Sequence, residues 1–392
     1  MISIEGARQQ IVESVTIMPS ETLEVSNALG RFTTTDIQAS IDLPLFDASA
    51  MDGYVFSWGD YEGGMRLFPI SGEMKAGDSS VQKCIPQTAM AIYTGAPIPQ
   101  LADSVVMVEK CQQEGNYVRF PDGLSPHQHI RRKGEQIQKG EIAVPANFKL
   151  NASALSYLSA LGITNIEVTS LPKITILTTG NEIISAGEDL KAGCIYESNG
   201  MALKSLFSQA VTHLHAKDEE AELLKQIEEA LKTSDWLIIT GGISAGKYDL
   251  VADCLAQAGV EKQFHKVNQK PGKPFYFGRK EQQLIFALPG NPAAVISCFY
   301  LYLYPAWQLA QGAKELGMKK IQLPLKDSFF NKGNRAQLLK AYTNLKEVSL
   351  LKGQGSHILH SFSRANALVH LPDKEQQYQE GDIVNVYLLP NV

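Results

Sequence analysis

A parallel β-sheet covered by helices on both faces, with β-rich regions before and after it, is the architecture this sequence predicts. Three observations carry that expectation. Between residues 173 and 310, nearly all-apolar runs (KITILTTG, WLIITGG, LIFALPG) alternate with segments of helical period, and strands apolar on both faces belong in a sheet buried on both. Residues 45–145 are rich in glycine, proline and short β-type runs such as SVVMVEK and YVRFPD, the texture of a sheet with many turns. From about Ile321 the chain returns to short β-runs, ALVHLP and DIVNVYLLP, which predict a small separate β domain. A length of 392 residues is enough for several cores.

The elements follow in order. Ile4, Ala7, Ile11 and Val15 recur at helical spacing, so a helix opens the chain. A second is expected over 151–161, with Asn151 as N-cap and Gly162 just past its end. In the α/β region helices are expected around 201–209, over DEEAELLKQIEEALKTS, over LVADCLAQAG and from about Ala293. Asp218 is an N-cap candidate for the second of these, with Leu224, Ile227 and Leu231 on one face. The apolar stretch 293–309 is interrupted by Ser297, Pro305 and Gln308, and reads as a buried helix rather than a membrane span. No fixed-period repeat or low-complexity segment appears.

Acidic residues outnumber basic ones by 41 to 36, for a net charge of -5. Nucleic acid and anionic membranes call for a basic field, so neither is an expected partner. The first residues lack the basic and apolar segments of an export signal, and the five cysteines contain no CxxC pair. A soluble cytoplasmic protein with reduced core thiols is expected. The pairs His127/His129 and His213/His215 have no cysteine or carboxylate at a zinc spacing and read as surface or strand histidines.

The chemistry is expected where the apolar strands end. Four loops emerge there: TGNE (179–182), TGGISAGKYD (240–249), KPGKP (270–274) and LPGNP (288–292). Ligands of an open parallel sheet bind outside the carboxyl ends of its strands. Glycines such as Gly180, Gly241, Gly242 and Gly272 let backbone approach a ligand, and N–H groups at helix starts attract anions. Lys270 and Lys273 suit phosphate, and Glu182 and Asp249 offer the oxygen ligands that Mg²⁺ prefers. Taken singly, each loop has an ordinary reading as a turn, a solvated loop or a helix cap. GxGxxG and GxxxxGK[ST] are both missing, so dinucleotide and P-loop readings lose support. The second region adds Asp52 in SAMDGY, Thr94 and Gly95 in YTGAPIP, and the basic RRKGEQI (131–137). Alone, Asp-Gly is a turn signal and RRKG an exposed loop.

Taken together, ALGR (28–31), SAMDGY (49–54), TGAPIP (94–99), RRKGE (131–135), TTGNE (178–182), GGISAGKYD (241–249), KPGKP, LPGNP and GSHILHS (355–361) stand in one order along nearly the whole chain. In that order the sequence resembles the molybdopterin molybdenumtransferase family, whose animal relative is the E domain of gephyrin. The resemblance implies a homodimer of four-domain chains: a helical linker domain (1–44 plus 146–172), an inserted β-rich domain (45–145), a three-layer molybdopterin-binding α/β domain (173–318) and a C-terminal β-barrel-like domain (319–392). It further implies Mg²⁺-dependent insertion of molybdate into adenylylated molybdopterin, with AMP released. Glu182 and Asp249 are then implied to organise the metal and molybdate, and Lys270 and Lys273 to clamp phosphates. Asp52 and Thr94 are implied to complete the cleft from the partner subunit. Gly180, Asp218, Gly241, Gly242, Ser244, Gly272, Pro289, Pro292 and Ser361, with Ser363 nearby, are the remaining candidate contacts. Candidate protein partners are the molybdopterin adenylyltransferase that makes the substrate and the apo-molybdoenzymes that take the product.

The chain departs from the family pattern at Gln136, where an acidic residue is common, and at Ala48, Ala294 and Glu197. Two rivals stay open at this point. A stand-alone adenylyltransferase of the same α/β fold should be much shorter, and a gephyrin-like scaffold has no need of the carboxylates in TGNE and GKYD.

Overall fold

The computed structural model describes residues 1–392 except 79–81, 208, 244–249 and 391–392. The chain forms two compact units, Thr22–Val168 and Met1–Glu21 with Thr169–Val392.

In the larger unit six strands share one sheet: β1 (Ile174–Thr179), β2 (Thr212–Ala216), β3 (Trp236–Thr240), β4 (Glu261–Phe264), β5 (Tyr276–Lys280) and β6 (Gln283–Leu288). Their spatial order is β2-β1-β3-β6-β5-β4. The first four in that order are parallel, while β5 runs antiparallel to both its neighbours, β6 and the edge strand β4. This edge departs from the wholly parallel sheet that the apolar runs predict. Only Glu281 and Gln282 separate β5 from β6, and parallel neighbours need a crossover of about a dozen residues.

Along β1 and β3 alternate side chains enter different cores. Ile174, Ile176, Trp236 and Ile238 pack with helices α1 (Ile4–Ser14), α2 (Asn199–Leu206) and α5 (Pro292–Cys298). Leu177, Leu237 and Ile239 pack on the opposite face with α3 (Glu220–Thr233) and α4 (Leu250–Gln257). Burial on both faces is why these strands read as unbroken apolar runs. The buried stripe of α3 is Leu223, Ile227, Ala230 and Leu231, with Leu224 only partly buried. Helix α3 takes Glu219 as its N-cap. Asp218, expected in that role, faces the first strand instead and accepts a hydrogen bond from Thr179 Oγ1 at 2.6 Å.

Helix α5 continues through a π-turn, Phe299–Leu303, into α6 (Tyr304–Ala310). Among the described residues, Pro292–Ala310 is the helical stretch long and apolar enough to cross a membrane, and 78% of its most apolar window is buried inside the molecule. The C-terminal sheet joins Ala336–Thr343, Ala367–Leu371, Ile383–Leu388 and Lys320–Pro324 in antiparallel order. A short strand from the α/β region, Gln269–Lys270, lies parallel to its first member.

The smaller unit holds a six-stranded sheet ordered Ser104–Met107, Gly53–Phe56, Ala89–Ile92, Leu67–Met74, Tyr117–Arg119, Gln112–Glu114. Phe56, Tyr61, Phe68 and Phe120 fill one of its cores. The helix Ala152–Ala160 starts where Asn151 Oδ1 accepts the Ala154 N–H at 2.8 Å.

Candidate active site

From β1 the chain passes to β2 on one side, then returns through α3 to β3 on the other. Loops leaving β1 and β3 therefore diverge, which opens a crevice at the carboxyl ends of the strands. A cleft of about 370 Å³ lies there, walled by the ends of β1, β3 and β6 and by the segment after β2. Residue 241 has φ +96°, and a Cβ on it would sit 2.4 Å from the Thr179 carbonyl oxygen. The two loops approach this closely because position 241 carries no side chain.

The polar groups of the cleft hold one another in place. Asp218 takes the Thr179 hydroxyl at 2.6 Å and donates its own N–H to Asn181 Oδ1 at 3.2 Å, which ties TGNE to the segment after β2. The Glu197 carboxylate accepts the N–H groups of Gly200 (2.6 Å) and Met201 (3.2 Å) in the first turn of α2, where negative charge is favoured. Asn199 Nδ2 donates to the Gly290 carbonyl at 2.9 Å, joining α2 to LPGNP. Two buried atoms of cleft-lining residues, Asn199 Oδ1 and Thr240 Oγ1, have no hydrogen-bond partner among the described residues. Leaving such atoms unpaired is costly, and where it happens a ligand or water commonly supplies the partner.

Of the sequence candidates, Glu182, Asp218, Gly241, Gly242, Pro289 and Pro292 line this cleft. Gly180 lines an adjoining hollow of about 890 Å³, to which Glu197 and Ile183 also contribute. His213 and His215 border the same hollow from β2, each with a ring nitrogen 3.2 Å from Thr178 Oγ1. Lys270, Gly272 and Lys273 are not in the cleft wall, and their loop reaches it through Pro274. Ser361 is buried, with its hydroxyl donated to the Gly353 carbonyl at 2.7 Å. Ser363 donates to the His360 carbonyl at 2.9 Å. Ser244 and Asp249 lie outside the described residues.

Asp52 and Thr94 belong to the smaller unit. Asp52 Oδ1 accepts the Thr94 N–H at 2.7 Å and the Thr94 hydroxyl at 2.9 Å. These bonds, the backbone one foremost, hold the Asp52 carboxyl below its ordinary value. Gln136 is exposed, and its N–H goes to the Leu43 carbonyl at 3.0 Å.

Sequence reasoning passed over Asn199 and Lys340, named Glu197 only as a departure, and took Thr240 only as the first residue of a loop. The spacing from Glu197 to Gly200 is that of a helix cap, and Thr240 is the polar end of an apolar strand, so both left a signal. Lys340 left none. It is buried in a β-strand, with Nζ donating to the carbonyls of Ile358 (3.0 Å) and Gly355 (3.2 Å) in GSHILHS. Burial holds its ammonium below the ordinary lysine value. Ser356 in turn accepts the Ala293 N–H at 3.0 Å, so this segment is tied to the start of α5.

Comparison with known proteins matches residues 2–162 to the MoeA N-terminal region (domain I and II), 175–308 to a probable molybdopterin binding domain and 322–389 to the MoeA C-terminal region (domain IV). A molybdopterin molybdenumtransferase of Haemophilus influenzae is 30% identical over 411 residues, spanning 98% of this chain and 98% of that protein. Another, from Nostoc sp., is 31% identical and covers 95% of this chain and 89% of its own length. The crystal structure of a molybdopterin biosynthesis moea protein from Pyrococcus horikosii has the same fold, with a TM-score of 0.83 at 29% identity over 100% of both chains. Similarity that runs from end to end, in sequence and in fold, means that this chain belongs to the molybdopterin molybdenumtransferase family.

Proposed function

We propose that the chain is a transferase that inserts molybdate into adenylylated molybdopterin and releases AMP, completing molybdenum cofactor. The observation that supports this most is the gathering of strand-end loops around one cleft containing Glu182 and Asp218. In this reading Glu182 and Asp249 organise the metal ion and molybdate, and Lys270 and Lys273 clamp phosphate. The glycines at 180, 241, 242 and 272 let backbone amides reach the ligand. Asp218 positions the TGNE loop, Pro289 and Pro292 shape LPGNP, and Ser244 and Ser361 are further contacts. The reaction needs phosphate held and oxyanion charge stabilised, with no covalent nucleophile from the protein.

Glu182, in the cleft wall, is a carboxylate of the kind Mg²⁺ takes. No group of three His, Cys, Asp or Glu side chains is gathered among the described residues. Mg²⁺ commonly binds through one or two carboxylates, keeping water and substrate phosphate for the rest of its shell. Glu182 with Asp249 would hold it, and when bound it would neutralise phosphate charge. The chain's own part is to orient the pyrophosphate and keep the cleft walls fixed.

The same reading makes the chain a cytoplasmic homodimer in which Asp52 and Thr94 of the partner subunit complete the cleft. It divides each chain into 1–44 plus 146–172, 45–145, 173–318 and 319–392. A molybdopterin adenylyltransferase upstream and apo-molybdoenzymes downstream are its protein partners. The test is AMP release from adenylylated molybdopterin by the purified protein, with and without molybdate and Mg²⁺. Release that needs both is expected, and binding without release would point to a carrier instead.

A further inference from the structure

The KPGKP loop lies over an entirely buried floor. Gln269 immediately precedes it and Phe275 immediately follows it, and Tyr302, in the π-turn between α5 and α6, touches both. The Tyr302 hydroxyl donates to Gln269 Oε1, while its ring stacks on Phe275 with centroids 4.7 Å apart and planes 22° from parallel. Gln269 Nε2 donates in turn to the Gly272 carbonyl at the loop tip, at 3.3 Å. A Cβ on Gly272 would lie 2.6 Å from that nitrogen and 2.7 Å from Cys298 Sγ, so the tip is pressed against the floor. The Val267 N–H closes the base of the loop on the Lys273 carbonyl at 3.0 Å. Gln269, Phe275, Cys298 and Tyr302 are all fully buried.

An amide in such a place is costly unless its groups are bonded. Methionine at 269 and phenylalanine at 302 would fill the same space and leave only the Gly272 carbonyl to satisfy. What the polar pair adds is direction: it fixes the height and orientation of the loop tip relative to α5 and α6. A π-turn interrupting a helix is often associated with a functional site, and this one presents Tyr302 to the loop. We propose that Tyr302 and Gln269 are positioning residues that hold Lys270 and Lys273 at the spacing their ligand requires. The inference rests on reading those lysines as phosphate-binding groups.

Tyr302→Phe keeps the ring stack and removes the tether. Amide hydrogen exchange of the peptide spanning 270–275 should quicken about tenfold, with peptides in β1 and β3 unchanged. KM for adenylylated molybdopterin should rise about tenfold while kcat stays within about twofold, as loss of uniform binding requires. In a Lys273→Ala background the same substitution should raise KM by a smaller factor, since Lys270 alone is left to misplace. The double variant Gln269→Met/Tyr302→Phe, which removes the buried side-chain amide and frees the Gly272 carbonyl, should still show the raised KM. Unchanged exchange at 270–275, an equal KM rise without Lys273, or a normal KM in the double variant would each overturn the proposal. If exchange responds as expected but the wild-type protein releases no AMP, the tether stands and the proposed function fails.

Discussion

The cleft of the larger unit and the Asp52–Thr94 turn of the smaller one both set polar side chains beside glycines at strand ends, yet they are satisfied differently. Asp52 precedes the strand Gly53–Phe56 and Thr94 follows Ala89–Ile92, and these strands are antiparallel neighbours. Their ends meet, so the carboxylate finds a hydroxyl and an N–H at once. In the cleft, the ends of parallel strands point the same way and their loops diverge. Asp218 and Thr179 still pair, but Asn199 Oδ1 and Thr240 Oγ1 have no partner among the described residues. Antiparallel ends satisfy one another, whereas parallel ends keep capacity for something else.

The largest effect that follows from this contrast is on turnover. Glu182→Gln should slow AMP release on the order of 10²–10³-fold, the scale for removing one electrostatic contributor from a preorganised site. Circular dichroism should be unchanged, since no hydrogen bond within the fold rests on that carboxylate among the described residues. A normal rate would remove the cleft from the chemistry. Next in size is Gly241→Ala, which forces a Cβ towards the Thr179 carbonyl at a φ that side chains rarely adopt. It should lower the unfolding free energy by about 3 kcal/mol in urea titrations at an unchanged m-value. A neutral outcome would mean that the two loops are not held in contact.

These two positions were readable in the sequence because the physics there is local. A glycine pair after an all-apolar strand marks a strand end in a buried sheet, and Glu182 follows such an end by three residues. The pieces that stayed hidden depend on long-range packing. Nothing in VNQKPGKP says that Gln269 faces Tyr302 more than thirty residues later, and nothing in AQLLKAYT says that Lys340 is buried under GSHILHS. The antiparallel strand β5, between β6 and the edge strand β4, was missed for a related reason. Its sequence, YFGRK, is a short mixed run unlike those of the parallel strands, and only the two-residue link to β6 reveals its direction. Asp218 shows the opposite error, since a good capping residue one position too early serves the neighbouring strand instead.

Thr240→Val sharpens the contrast directly. Removing an unpartnered buried hydroxyl should make the protein more stable by about 1 kcal/mol, read as a higher urea midpoint. If the hydroxyl is kept for ligand, binding of adenylylated molybdopterin should weaken in the same variant. A gain in stability with unchanged binding would make Thr240 an ordinary packing defect and erase the difference between parallel and antiparallel strand ends.

The smallest effect belongs to the smaller unit, and its sign can be worked out. The Asp52 carboxyl is held below its ordinary value by Thr94, through the backbone N–H first and the hydroxyl second. A carboxylate depressed in the folded state adds stability above its unfolded pKa, and that contribution is lost as pH falls through the lowered folded value. Thr94→Val removes the hydroxyl bond and keeps the N–H, so the carboxylate should protonate at a higher pH than in the wild type. In acid titrations followed by tryptophan fluorescence, the variant should be the less stable protein near neutrality, and the two should converge as pH falls through the lowered Asp52 value. AMP release at neutral pH then decides what the turn is for. A rate close to wild type would make Asp52–Thr94 a self-contained staple, as the two bonds accepted by Asp52 Oδ1 suggest. A collapse of the rate in a protein that is still folded would mean that the Thr94 hydroxyl leaves Asp52 to act on substrate, and that antiparallel strand ends, too, hold capacity in reserve.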